Sequence, residues 1–246
     1  MEFNETFSWL NIALARDALL ITCPENRTIK KPIHLLHITT GNRNKLVSPR
    51  IIVEANSNSK LTLIEEFVNL LPDKSLMNSA TFINAKQGSL VNHHRICGSS
   101  CGYHVGNLHC KVSRDANICT TSLAFGGDVT RININVRLEQ PGASCDLSGL
   151  FLGVKDELID HHTMIEHAAS ETNSNEVYKG VMGGKSKGVF NGKVLVEENI
   201  YHVKASQNSD NLLLSDVAEI NTKPELEIYS DDVTCAHGAT VGQLDA

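Results

Sequence analysis

The chain has 246 residues, enough for one large domain or two small ones. Charged residues make up 20% and apolar ones 41%, so the chain should bury a core and fold. A formal charge of −6 excludes the strongly basic face that a nucleic-acid binder needs.

The opening Met-Glu-Phe-Asn-Glu lacks the basic start and apolar run of a signal peptide. The apolar run nearest in length to a membrane span, Phe7 to Cys23, is interrupted by Arg16 and Asp17, so no membrane association is expected. Seven cysteines in a chain without a leader are expected to stay reduced, which points to a cytoplasmic protein. The odd count also fits a full disulfide framework poorly.

Taken in chain order, Phe7 to Leu20 reads as a short amphipathic helix with Phe7, Leu10, Leu14 and Ala18 on one face. Residues 1–31 form this helix and an extended lead-in. From residue 32 the pattern changes to short runs of Val, Ile, Leu and Thr separated by Gly, Asn, Asp and Ser. Strands are expected at Arg50–Ala55, Leu61–Phe67, Thr81–Ala85, Arg131–Leu138, Lys193–Val196 and Glu225–Tyr229. Residues 32–246 read as one mainly β domain without an internal linker. A turn of small or polar residues followed by a strand recurs at Asn58, Gln87, Asp115 and Gly142, which lie 29, 28 and 27 positions apart. Near-constant spacing of this size suits a solenoid with two or three strands per coil. The 22 asparagines suit it too, because Asn tolerates left-handed turns and stacks along coils. An antiparallel sandwich is the alternative, but it should show tight hairpin turns, and only Asn191-Gly192 is a good candidate.

Three chemical signals lie inside this domain. His93, His94, Cys97, Cys101, His104, His109 and Cys110 crowd one stretch. Cys-x3-Cys has no matching second pair, and His93 and His94 point to opposite faces of a strand. Thiols held as small core residues, with histidines on the surface, is the expected arrangement. Asp160, His161, His162, Glu166 and His167 form a second group. Its order does not match a His-Glu-x-x-His metal helix, although Asp160 and His162 would share a strand face. Gly183-Gly184-Lys185-Ser186 invites a phosphate-loop reading, but that motif needs Gly where Lys179 stands, so a turn between coils is expected. No Gly-x-Ser-x-Gly elbow occurs and nothing assembles a catalytic triad, so the chain does not read as an enzyme.

The segment Asp231 to Asp245 is the most informative. On a strand, Cys235 and His237 project to one face with Cα atoms roughly 6.5–7 Å apart. A thiolate beside an imidazole suits a transition metal or an iron–sulfur cluster. Gly238 would let the backbone turn or approach another surface. The competing reading makes Cys235 a small buried hydrophobe.

Several strings, taken together and in order, resemble the SufB/SufD family of iron–sulfur cluster assembly proteins. They include Pro32–Thr39, Glu65–Val68, Tyr103–Gly106, Ser122–Gly127, Leu147–Phe151, Asp160–His167, Tyr178-Lys179-Gly180, Gly188–Lys193, Asn211–Ser215 and Asn221–Tyr229. Within the family they lie closer to SufD than to SufB. The resemblance implies a right-handed parallel β-helix. It further implies a scaffold subunit of a SufBCD complex that pairs with a SufB-like subunit through the C-terminal end of the β-helix. A transient iron–sulfur cluster would form at that junction. SufB would supply the sulfur-accepting cysteine and most ligands, His237 an iron ligand, and Cys235 a ligand or structural neighbour. Family members carry further helical segments on either side of this core, and a C-terminal helical domain docks the SufC ATPase. The chain thus reads as a core fragment, not expected to hold a cluster alone. The rival readings are a β-helix interaction module or homodimer without metal, an exported carbohydrate-active β-helix, and SufB itself.

Overall fold

In β11, Cys145, Leu147, Gly149, Phe151 and Gly153 point inward and alternate with Ser144, Asp146, Ser148, Leu150 and Leu152. The same two-residue period runs through most of the chain and dictates strands with one buried face. The computed structural model describes residues 6–40, 45–70, 75–98 and 102–243. After helix α1 (Thr6–Leu14) come β1 (Leu19–Cys23), β2 (Ile33–Thr39), β3 (Leu46–Val47), β4 (Arg50–Ala55), β5 (Lys60–Asn69) and β6 (Leu76–Ala85). Then follow β7 (Leu90–Cys97), β8 (Tyr103–Val112), β9 (Asn117–Phe125), β10 (Val129–Leu138), β11 (Ser144–Gly153) and β12 (Leu158–His167). The last are β13 (Asn173–Met182), β14 (Lys187–Val196), β15 (Val203–Leu213), β16 (Glu219–Ile228) and β17 (Val233–Gln243).

The strands fall into two sheets, β1-β4-β6-β8-β10-β12-β14-β16 and β17-β15-β13-β11-β9-β7-β5-β2, with β3 beside β6. Every pairing is parallel, as in Val136 with Ile165 and Leu147 with Glu176. The chain is therefore a β-solenoid of about 7 turns, each built from one strand of either sheet. Parallel pairing rules out the sandwich. Asn191-Gly192 lies inside β14 and makes no hairpin. Two strands per coil, many of ten residues, replace the shorter runs that composition marks.

The recurrent turns stack. Asn58 N donates to Gln87 O (2.8 Å), Gly88 N to Arg114 O (2.9 Å), Asp115 N to Pro141 O (3.2 Å), and Gly142 N to Glu171 O (3.1 Å). Asn58, Gly88, Asp115, Gly142 and Glu171 all have positive φ, which these residue types tolerate to different degrees. Asparagines do stack along coils: Asn58 Nδ2 donates to Asn26 Oδ1 (3.1 Å), Asn107 Nδ2 to Asn78 Oδ1 (3.3 Å) and Asn133 Nδ2 to Asn107 Oδ1 (2.9 Å).

Between the sheets, residues in register form continuous files. One runs Val53, Ile83, Cys110, Val136, Ile165 and Val194, all buried. Cys97 and Cys145 are also buried in the interior, and the six described cysteines are free, as expected. Cys101 lies outside the described residues.

Two expectations are corrected. The helix ends at Leu14, because Leu19–Cys23 instead pairs with Ile51–Ala55 as the first strand of the solenoid. Leu14 and Ala18 are exposed, and the helix docks through polar groups. Asn11 Nδ2 donates to Asn78 O (2.7 Å) and Ser8 Oγ lies 2.9 Å from His109 Nε2. Second, His93, His104 and His109 are buried, not on the surface. Each ring has a polar partner that offsets its desolvation: Glu65 for His93, Ser79 for His104 and Ser8 for His109.

Burial holds His104 at about 3 and His109, His161 and His167 at about 4. Unfolded, these rings take up protons near pH 6.5. The unfolded chain therefore binds more protons below that pH, and stability is lost as pH falls from about 6.5 towards 4. Glu176, raised to about 7 by burial, acts in the opposite sense and offsets part of this. The urea midpoint should be clearly lower at pH 5 than at pH 7.5, by on the order of 1 kcal/mol per buried histidine. An equal midpoint would mean the buried rings are not held neutral. Separately, Gly142→Ala places a Cβ 2.0 Å from Asp115 Oδ1 at φ +77 and should destabilise by about 1–3 kcal/mol, read from the same unfolding curves.

Candidate functional site at the open end of the solenoid

Among the described residues, strand β17 is the outermost of its sheet, and one side of its backbone pairs with β15. Register fixes where its side chains point. Cys235 pairs with Ala205 and His237 with Gln207, and both of those residues face the interior. Cys235 and His237 therefore share the inward face of the last rung, where the interior meets the open end. Cys235 is half-buried and packs against the hydrophobic core, whereas His237 is exposed. Partial burial raises the Cys235 thiol, against an opposing backbone hydrogen bond at Ala205, so the isolated side chain is a neutral thiol. Gly238 makes no turn. It continues the strand, with the Asn208 side chain 3.1 Å from where a Cβ would stand.

A thiol and an imidazole on one face have the donor chemistry of a soft metal or cluster site, and a bound metal deprotonates a coordinating thiol. They do not complete one. Among the described residues, no group of three or more His, Cys, Asp or Glu could hold a metal ion. Any cluster here would draw its remaining ligands from elsewhere.

The other sequence signals resolve differently. His93 belongs to a buried charged group that the sequence reading missed. His93 Nε2 lies 2.6 Å from Glu65 Oε2, and Arg95 Nη2 donates to Glu65 Oε2 (3.1 Å) and to Thr81 Oγ1 (3.0 Å). Burial alone would raise the Glu65 carboxyl. The Arg95 charge and the bonds from His93 and Thr81 outweigh it and hold the group far below the usual carboxylate range. Burial also lowers His93, so its ring is neutral: Nε2 donates to the carboxylate and Nδ1 accepts from Thr120 at 3.1 Å. The one available clue was alternation, since Glu65, His93 and Arg95 fall on the same inward period as Leu63 and Val91.

Asp160 and His162 do share a face, with His162 Nε2 2.9 Å from Asp160 Oδ1, and Arg131 Nη1 donates to Asp160 Oδ2 at 2.7 Å. They lie on the outside of β12, whereas His161 points inward to Ser122. Gly183 to Ser186 form the turn between β13 and β14, closed by Ser186 Oγ donating to Gly183 O at 2.7 Å.

An all-parallel solenoid whose last strand turns a thiol and an imidazole to one face is a class of scaffold with an unfinished soft-ligand site at its end. Residues 37–246 match the domain described as SUF system FeS cluster assembly, SufBD core domain. The chain belongs to this family. It is 30% identical to the iron–sulfur cluster assembly protein SufD of Escherichia coli over 98% of the chain and 58% of that protein. It is 29% identical to the SufBD family protein slr0076 of Synechocystis, over 99% of the chain and 56% of the relative. It is 25% identical to the chloroplastic protein ABCI7 of Arabidopsis thaliana, over 98% and 53%. The chain thus spans little more than half the length of these relatives. Among the described residues no helix is long and apolar enough to cross a membrane.

Removing one partner of a buried ion pair strands the other charge. Glu65→Ala should therefore cost about 3–5 kcal/mol of stability, measured by denaturant unfolding. A loss below about 1 kcal/mol would mean that Arg95 finds water or another acceptor.

Proposed function

We propose that this chain is a SufD-like scaffold subunit of a SufBCD-type complex. It pairs with a SufB-like subunit through the end formed by β16 and β17, and a nascent iron–sulfur cluster assembles at that junction. The observation that supports this reading is the shared inward face of Cys235 and His237 on the terminal strand. Apolar side chains surround that end, including Ile228, Tyr229 and Val241, all substantially exposed. An edge strand with unpaired backbone groups and exposed apolar neighbours is a natural place for another chain.

In this reading iron and sulfide are cargo. The SufB-like subunit supplies the sulfur-accepting cysteine and most ligands. His237 contributes an imidazole and Cys235 a thiolate or a packing neighbour. A cluster held partly by imidazole is bound less firmly than one held by four thiolates, which suits hand-over to clients. A SufC-like ATPase, docked through a helical domain beyond the solenoid, drives the rearrangement that opens the junction. The chain itself performs no turnover and works in a reducing cytoplasm, in keeping with its free cysteines.

Anaerobic co-expression with SufB-like and SufC-like partners, followed by iron and sulfide analysis, tests this. His237→Ala should lower bound iron by at least about 10-fold, since even changes outside the ligand shell commonly cost that much. Equal iron in mutant and wild type would return Cys235 and His237 to structural roles. The remaining reading would then be a metal-free interaction module, whose homodimer light scattering would detect.

A further inference from the structure

The interior file that ends at His237 is polar for three rungs. Glu176 is in register with Gln207, and Gln207 with His237. Adjacent strands lie about 4.8 Å apart, so successive side chains in a file touch. Glu176 and Gln207 are both buried. Gln207 Nε2 donates to Glu176 Oε2 at 2.5 Å, which fixes which end of the amide faces the carboxylate. The other end, Oε1, is buried and has no partner, although a buried carbonyl left unpaired costs about 1–3 kcal/mol.

The amide has little room to turn. Across the interior stands Gly192, where a Cβ would fall 2.2 Å from Gln207 Nε2, so the missing side chain is the space that the amide fills. The inward positions of β17 are Val233, Cys235, His237, Ala239 and Val241. Only Cys235 and His237 carry a donor, and Cys235 sits over Ala205. His237 is the one donor in register with the free carbonyl.

We infer that Gln207 is a positioning residue for His237: its amide, anchored from behind by Glu176, holds Oε1 unbonded in this structure and accepts one imidazole N–H when the exposed ring turns inward, which leaves the other ring nitrogen free. The inference rests on the reading of His237 as a ligand. It supplies the outer partner that a ligating histidine needs to fix its tautomer and ring plane. Burial raises the Glu176 carboxyl to about 7, against the opposing bonds from Gln207 and Thr163.

Nitrogen-15 NMR of the His237 ring in the folded chain tests this directly. Wild type should show one dominant tautomer, and Gln207→Leu a mixture. Gln207→Glu, which keeps an acceptor oxygen, should restore the bias. In the complex, Gln207→Leu should lower iron retention against a chelator about 10-fold. Unchanged His237 shifts in Gln207→Leu, with only the unfolding midpoint altered, would overturn the inference and make Gln207 a packing residue. If the tautomer responds to Gln207→Leu while His237→Ala keeps its iron, the positioning contact stands and the ligand assignment falls.

Discussion

In-register parallel stacking is the constraint on which the rest of this molecule depends. Each inward side chain lies against the same position one rung before and one rung after, some 27 to 31 residues away in sequence, as Ile118, Cys145, Ser174 and Ala205 show along one sheet. A core built this way is a set of files, and each file must be chemically consistent from rung to rung. The Val53 to Val194 file meets this with aliphatic groups and one thiol. Polar groups meet it only when a neighbouring rung or the facing sheet supplies a partner, as Thr81 does for Glu65 and Ser122 for His161.

A stacked solenoid also has two ends that it cannot close by itself, because the last rung leaves a strand edge and an interior face without a successor. Sides and ends therefore differ in kind. Along the sides, turns bond to turns and strands to strands. The outward charges do the same across rungs, as Arg137 does with Glu166 and Glu197. At the β16–β17 end the outermost described members of these files face no further described rung. Cys235 and His237 are the final members of two such files.

How much of this was legible in the sequence follows from the range over which each feature is encoded. The turns at Asn58, Gln87, Asp115 and Gly142 were visible because turn chemistry is local and recurs at almost the coil length. Arg50–Ala55 was visible at its full length through period-two alternation, whereas Thr81–Ala85 is only the second half of Leu76–Ala85, because the buried Asn78 and Ser79 break the apolar pattern. The shared face of Cys235 and His237 needed only the strand period. The Glu65–His93–Arg95 group was not legible, because its partners lie about one coil apart and each residue alone reads as a surface charge. The docking face of α1 was misread for a related reason. Ser8 and Asn11 are buried by bonds to residues 67 to 101 positions away, which no helical period reveals. Assigning the chain to iron–sulfur cluster assembly came from resemblance to a family, not from any spacing.

The two interior polar groups have different balance sheets, and the difference bears on function. Around Glu65 the carboxylate collects contacts from Arg95, His93 and Thr81 on neighbouring rungs, so its charge is matched where it stands. Such a group holds rungs in register and has no acceptor left to offer. Around Glu176, Gln207 donates to Oε2, while the other carboxyl oxygen and the carbonyl of Gln207 are both unpaired, and the next described rung carries His237. A buried polar chain with oxygens left open is costly in a closed core. It becomes reasonable where the open end meets a group that will itself be bound from outside. Leu147, one rung deeper than Glu176, interrupts the polarity, which resumes further in with the buried Thr120 and His93 of the Glu65 group. The stretch from Glu176 outward is therefore set apart from that inner group by one leucine, and it runs to the imidazole of His237.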